Sequence, residues 1–139
     1  MLENFNNREF VDTSNESITI EHIFPQTPTE KWSEALTPLE LLNFKEKYIN
    51  SIGNLTLSGN NGALSNKSFT EKQSMNKDGG EQGYKFSRLW LNAYLNTIAT
   101  WDTENYDTRF TIISERFLSI WDYPDVELPI IEDGLEINL

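Results

Sequence analysis

The first clear pattern along the chain is Ile18-Thr19-Ile20-Glu21-His22-Ile23-Phe24, where apolar and β-branched residues lead to a Glu-His pair and Pro25 follows. Such a run predicts a strand over 18–24, its pairing ended by the proline and its imidazole near the strand end. Pro25-Gln26-Thr27-Pro28 starts a loop, over which Trp32 is expected to pack. Thr37-Pro38 suits an N-cap and a first helical position, and Leu39, Leu41, Leu42 and Phe44 supply an apolar face. A helix is therefore predicted over 37–50, with Gly53 breaking it. A second short strand is predicted over 54–57, a turn over 58–62 and a short helix over 61–73. Asn76-Lys77-Asp78-Gly79-Gly80 reads as a flexible loop. Two amphipathic helices follow. One spans 85–99 with Phe86, Leu89, Trp90, Ala93, Tyr94 and Ile98 as its stripe, the other 107–121 with Phe110, Ile113, Phe117, Ile120 and Trp121. Residues 1–17 are polar, Asn-rich and weakly patterned, and read as a lead-in or linker. Residues 124–139 alternate acids with aliphatics and read as extended or disordered. This order of elements predicts an α+β domain in which the two strands pair antiparallel and the helix from about Asn61 packs across them.

Composition narrows the picture. A length of 139 residues suits one domain with a real core, and 4 Trp, 5 Tyr and 8 Phe can build that core from large side chains. There is no cysteine, which excludes disulfides, thiolate nucleophiles and Cys-type zinc sites and fits a reducing, cytoplasmic setting. No signal-peptide pattern opens the chain, and no apolar run approaches the ~20 residues of a membrane span. The net charge of −11 argues against nucleic-acid binding when taken whole. Its distribution changes that. Between Lys45 and Arg88 seven basic residues stand against four acids, a net of +3, while six acids and no base follow from Asp122 onward. The acidity is gathered in a tail.

Chemistry concentrates near the strands. His22 is the chain's only histidine. A buried, backbone-satisfied strand histidine is the bland alternative. A neutral imidazole at a strand rim is a natural general base. Glu21 points to the opposite face of a regular strand, where it is either a solvated residue that can pair with a lysine or, after a local bend, a metal ligand. Asn54 interrupts an apolar strand. It is a bulge residue beside Gly53, or an amide that fixes the loop and imidazole of His22. Asn61 and Asn66 are helix caps or hard oxygen ligands for Mg²⁺ or Mn²⁺. Lys67 and Lys72 form a solvated face or neutralise phosphates.

Three stretches taken in order carry a family resemblance. They are Ile20-Glu21-His22-Ile23-Phe24-Pro25-Gln26, then Ile52-Gly53-Asn54-Leu55-Thr56-Leu57, then Asn61 through Leu64-Ser65-Asn66-Lys67-Ser68-Phe69 to Lys72. With the closing pattern of residues 112–116 and Ile120-Trp121, they resemble the C-terminal nuclease domain of GmrSD-type modification-dependent restriction proteins. That domain is similar to the HNH, or ββα-metal (His-Me finger), endonucleases. The resemblance covers 18–124, with residues 125–139 left as an acidic tail. It implies a ββα-metal core with additional C-terminal helices and a DNA endonuclease that uses a single Mg²⁺ or Mn²⁺. His22 would be the general base and Asn54 would orient it. Glu21 with Asn61 or Asn66 would hold the metal. Lys72 and Arg116 match recurrent basic positions and join Lys67 as candidate nucleic-acid contacts. Family members usually carry a large nucleotide-binding and recognition domain on the N-terminal side, so a separate or missing partner domain is implied. Two other classes stay open: a non-catalytic DNA- or protein-interaction module on the same fold, and an RNA-directed or toxin nuclease.

Overall fold

A computed structural model describes residues 2–6 and 10–121, and the tail expected over 124–139 lies outside the described residues. Strand β1 (Thr19–His22) pairs antiparallel with β2 (Leu55–Ser58), with Glu21 opposite Thr56 and His22 opposite Leu55. One further hydrogen bond, Ile23 N–H to the Asn54 carbonyl at 2.9 Å, extends the pairing past His22. Two short helices, α1 (Glu30–Ala35) and α2 (Pro38–Asn43), lie between the strands. Thr37 caps α2 through a reciprocal box with Glu40, and Pro38 occupies the first turn. The helix continues as one wide turn, Phe44–Tyr48. The architecture is mixed helix and strand around a small sheet.

Three predicted elements differ. The helix expected over 61–73 is two pieces, α3 (Asn61–Leu64) and α4 (Phe69–Ser74). Ser65, at φ 42°, breaks the backbone between them, and Ser68 restarts it with a capping box to Glu71. The Asp78-Gly79 loop is the turn of a minute hairpin, β3 (Asn76–Lys77) with β4 (Gly80–Glu81). Both central residues have positive φ, 54° and 79°, the backbone that an Asp-Gly pair supplies cheaply. The helix predicted over 85–99 is a chain of 3₁₀ turns at Tyr84–Phe86, Trp90–Asn92 and Tyr94–Asn96. Polar tethers hold this segment to the sheet. Asn92 accepts from the Thr56 hydroxyl at 2.6 Å and donates to the Leu57 carbonyl at 3.0 Å. A regular helix would break those bonds, so tertiary contacts override the local periodicity.

The last helix, α5 (Thr103–Ile120), begins earlier than the pattern implied because Asp102 caps it, accepting from Asn105 N–H at 2.9 Å. Its buried face is Tyr106, Arg109 and Ile113. Phe110, Phe117 and Trp121 of the predicted stripe stay 39–46% exposed. The reason is Arg109. Its guanidinium is 1% exposed and donates to the carbonyls of Ile52, Gly53, Leu55 and Leu91 at 2.6–3.2 Å, which rotates α5 so that this cation faces the loop before β2. Burial draws that guanidinium down to about 10, still protonated at neutral pH.

The core is aromatic. Phe24 stacks on Phe44 at 5.2 Å and meets Trp32 edge-on at 5.1 Å, while Tyr48 stacks on Tyr106 at 4.2 Å. Such pairs contribute roughly 0.5–1.5 kcal/mol each beyond area burial. Gly53 exists for this packing: a Cβ there would sit 2.5 Å from the Tyr106 ring. Residues 2–6 are docked rather than loose. Glu3 is buried and accepts from Leu91 N–H at 3.0 Å and from Trp90 N–H.

Candidate active site

Proline at position 25 stops β1 pairing, so His22 stands where the strand opens to solvent, and its side chain is half-buried. Its Nε2 lies 3.0 Å from Asn50 Oδ1. The carbonyl of His22 accepts from Lys72 Nζ at 2.7 Å. Glu21, one residue earlier, faces inward. It is 2% exposed and takes Lys72 Nζ on Oε1 at 2.6 Å, with the Tyr84 hydroxyl at 3.4 Å from the same oxygen. Of the first alternative for Glu21, the solvated outer face does not hold, while the pairing with a lysine does. Ile20 has the outward place instead, 59% exposed. Glu21 is turned inward because a cation is buried there to meet it.

Lys72 was expected on a solvated or phosphate-facing helix side. It is 0% exposed and cannot reach a phosphate backbone. Burial raises the Glu21 carboxyl and lowers the Lys72 ammonium, each opposed by the charge of the other. At 2.6 Å, with the His22 carbonyl as a second acceptor on the ammonium, each group offsets part of the other's desolvation. Oε2 of Glu21 accepts no hydrogen bond among the described residues.

Asn54 is fully buried and makes four hydrogen bonds. Nδ2 donates to the carbonyls of Phe24 and Ile49, both at 3.0 Å. Oδ1 accepts from Phe24 N–H at 2.8 Å and from Trp101 Nε1 at 3.1 Å. It fixes the loop that follows His22; none of these bonds reaches the imidazole. Asn61, at the start of α3, donates from Nδ2 to the Ile20 carbonyl at 2.7 Å, tying that helix to β1.

Glu21, His22, Asn61 and Asn66 converge on one polar cleft of about 170 Å³, with Pro25, Gln26, Thr27 and Ser65 completing its wall. The break at Ser65, between α3 and α4, lies in this wall beside Asn66. Asn66 also borders a larger open groove of about 670 Å³ that holds Lys31 and Lys67. Lys31 is paired with Glu71 in that groove. Arg116 lies elsewhere. Its guanidinium donates to the carbonyls of Leu2, Glu3 and Phe5 and stacks 3.8 Å from the Trp90 ring centroid. It clamps the N-terminal segment and is not at the cleft. Asn50 is the residue against His22 that the sequence reading passed over, and Arg109 is the buried cation it passed over. Asn50 carries no local signal, and Arg109 is one polar letter inside a helix.

Among the described residues no three His, Asp or Glu side chains stand together as a metal cluster, so any ion here would depend on amide oxygens. The donor set does fit a hard divalent ion. A glutamate, two asparagines and a histidine, all residue types that can ligate such an ion, line the same cleft. No described helix is long and apolar enough to cross a membrane.

The fold and cleft thus define a small α+β domain that presents a single strand-end histidine among oxygen donors. The chain belongs to the family of GmrSD restriction endonucleases, C-terminal domain, whose family model matches residues 2–115. It is a restriction-endonuclease-related domain. Searches of curated proteins and of solved structures return no significant match.

Proposed function

We propose that the chain is a metal-dependent DNA endonuclease domain of the HNH, His-Me finger type, acting in restriction of foreign or modified DNA. The observation that carries this reading is the convergence of Glu21, His22, Asn61 and Asn66 on one polar cleft. His22 takes a proton from the attacking water. Glu21, with Asn61 or Asn66, would hold a single Mg²⁺ or Mn²⁺. When bound, that ion supplies charge stabilisation at the scissile phosphate and leaving oxygen. Asn54 keeps the loop after His22 in place, and Lys72 holds the Glu21 carboxylate and the His22 carbonyl from behind. Lys67, on the adjoining groove, contacts phosphate backbone and so adds affinity without sequence preference. A separately encoded or preceding domain would supply recognition of the modification.

The net charge of −11 favours a second reading, a non-catalytic interaction module on the same fold. Plasmid nicking with Mg²⁺ or Mn²⁺ separates the two, with RNA offered in parallel. Wild type should nick DNA, and His22→Ala should be slower by roughly 10²–10⁴-fold, the scale of general-base catalysis. Wild-type-like nicking by a folded His22→Ala protein removes His22 from the mechanism.

A further inference from the structure

The hydrogen bonds of Asn54 join two backbone segments that are far apart in sequence. One of its carbonyl partners, Phe24, lies two residues after His22, and the other, Ile49, directly precedes Asn50. A single fully buried amide therefore sets the spacing between the turn that carries His22 and the turn that carries Asn50. Across that spacing, His22 Nε2 and Asn50 Oδ1 stand 3.0 Å apart. We propose that Asn50 is the positioning residue for the His22 imidazole, holding Nε2–H and leaving the lone pair of Nδ1 to accept the proton.

An amide oxygen can only accept, so its partner nitrogen must carry the hydrogen. A neutral imidazole has one N–H, and fixing it on Nε2 places the basic lone pair on Nδ1. Asn50 Oδ1 is the ring's one hydrogen-bond partner among the described residues. Without it the torsion between Cβ and the ring has only a broad, roughly two-fold preference, and the ring can turn over. Asn54 and Asn50 then divide the work. Asn54 has four bonds in the core and shapes the backbone; the exposed Asn50 side chain makes this one bond and aims the ring. The inference rests on reading His22 as the base.

Because His22 is the chain's only histidine, its ring nitrogens give one unambiguous set of ¹⁵N signals. With the imidazole neutral, wild type should show the Nε2–H tautomer with that proton slowed in exchange. Asn50→Asp, which keeps an acceptor oxygen, should retain it. Asn50→Leu should give a mixture of tautomers with a fast-exchanging ring proton. Its kcat should fall by about 10–10²-fold, the scale of a misaligned catalytic group, at little-changed KM. Asn50→Ala serves as a second variant if leucine perturbs the turn. An Nδ1–H tautomer in wild type, or ring signals unchanged in Asn50→Leu and Asn50→Ala, overturns the proposal. The ring measurement needs no cleavage, so it stays informative if His22→Ala proves the base reading wrong.

Discussion

At the residue scale, the Glu21–Lys72 pair couples the site to the core. Both side chains are essentially out of water, 2% and 0% exposed, and each offsets part of the desolvation cost of the other. Lys72→Met should leave a buried carboxylate uncompensated and lower stability by about 3–5 kcal/mol. The double change Lys72→Met with Glu21→Leu should recover most of that loss, since an apolar pair of similar volume no longer strands a charge. Urea denaturation of the two variants checks this, and an undiminished loss in the double variant would mean that the pair is not what matters. Two other cations divide by location. Lys67→Ala should weaken DNA binding and reduce the salt slope of log affinity by about one, as for a lost phosphate contact. Arg116→Ala should lower the melting temperature and leave that slope unchanged, because its guanidinium is committed to carbonyls of residues 2, 3 and 5. Salt titrations of both variants against the same duplex distinguish the roles.

At the level of elements, α4 carries Lys72 to the back of the site, and its start is set by the Ser68–Glu71 box. Ser68→Ala should cost about 1 kcal/mol. Glu71 accepts from Ser68 N–H at 2.9 Å and is paired with Lys31, and these contacts hold its carboxyl down at about 2, against an ordinary 4.5. A carboxyl whose folded value lies below its unfolded value stabilises above about 4.5, and that contribution is lost as pH falls towards 2. Glu71 is 41% exposed, so solvent screens the effect, and Glu71→Gln should cost under about 1 kcal/mol at pH 7. The gap between wild type and Glu71→Gln should narrow between pH 4.5 and pH 3. Melting temperatures across that range measure it, and a gap that stays constant would assign the contribution to the hydrogen bonds and not to the charge.

For the molecule as a whole, under the proposed nuclease function, charge distribution controls encounter with DNA. The segment from Asp122 onward holds six acids and no base, against a net of +3 between Lys45 and Arg88. Ending the chain after Tyr123 should raise DNA affinity, and the gain should shrink with salt as the screening length falls to ~8 Å near physiological ionic strength. Affinity at two salt concentrations, with melting temperature alongside, checks this. Unchanged affinity with a lower melting temperature would make those residues structural.

The linear pattern carried the parts whose physics is local. The strand ended by Pro25, the Thr37-Pro38 helix start and the second strand follow from short-range chemistry, while motif order singles out Glu21, His22, Asn61 and Asn66 without fixing where each side chain points. Helical spacing misled over 85–99, where Asn92 satisfies β2 groups better than a helix could, and on α5, where Arg109 meets carbonyls of two separated segments. Tertiary structure alone decided that Glu21 faces inward, that Lys72 is its counter-ion 51 positions away, and that Asn50 reaches His22. Burial of a charge depends on which partner the folded chain brings within hydrogen-bond distance. That distance is a property of the packed molecule and has no signature in neighbouring residues.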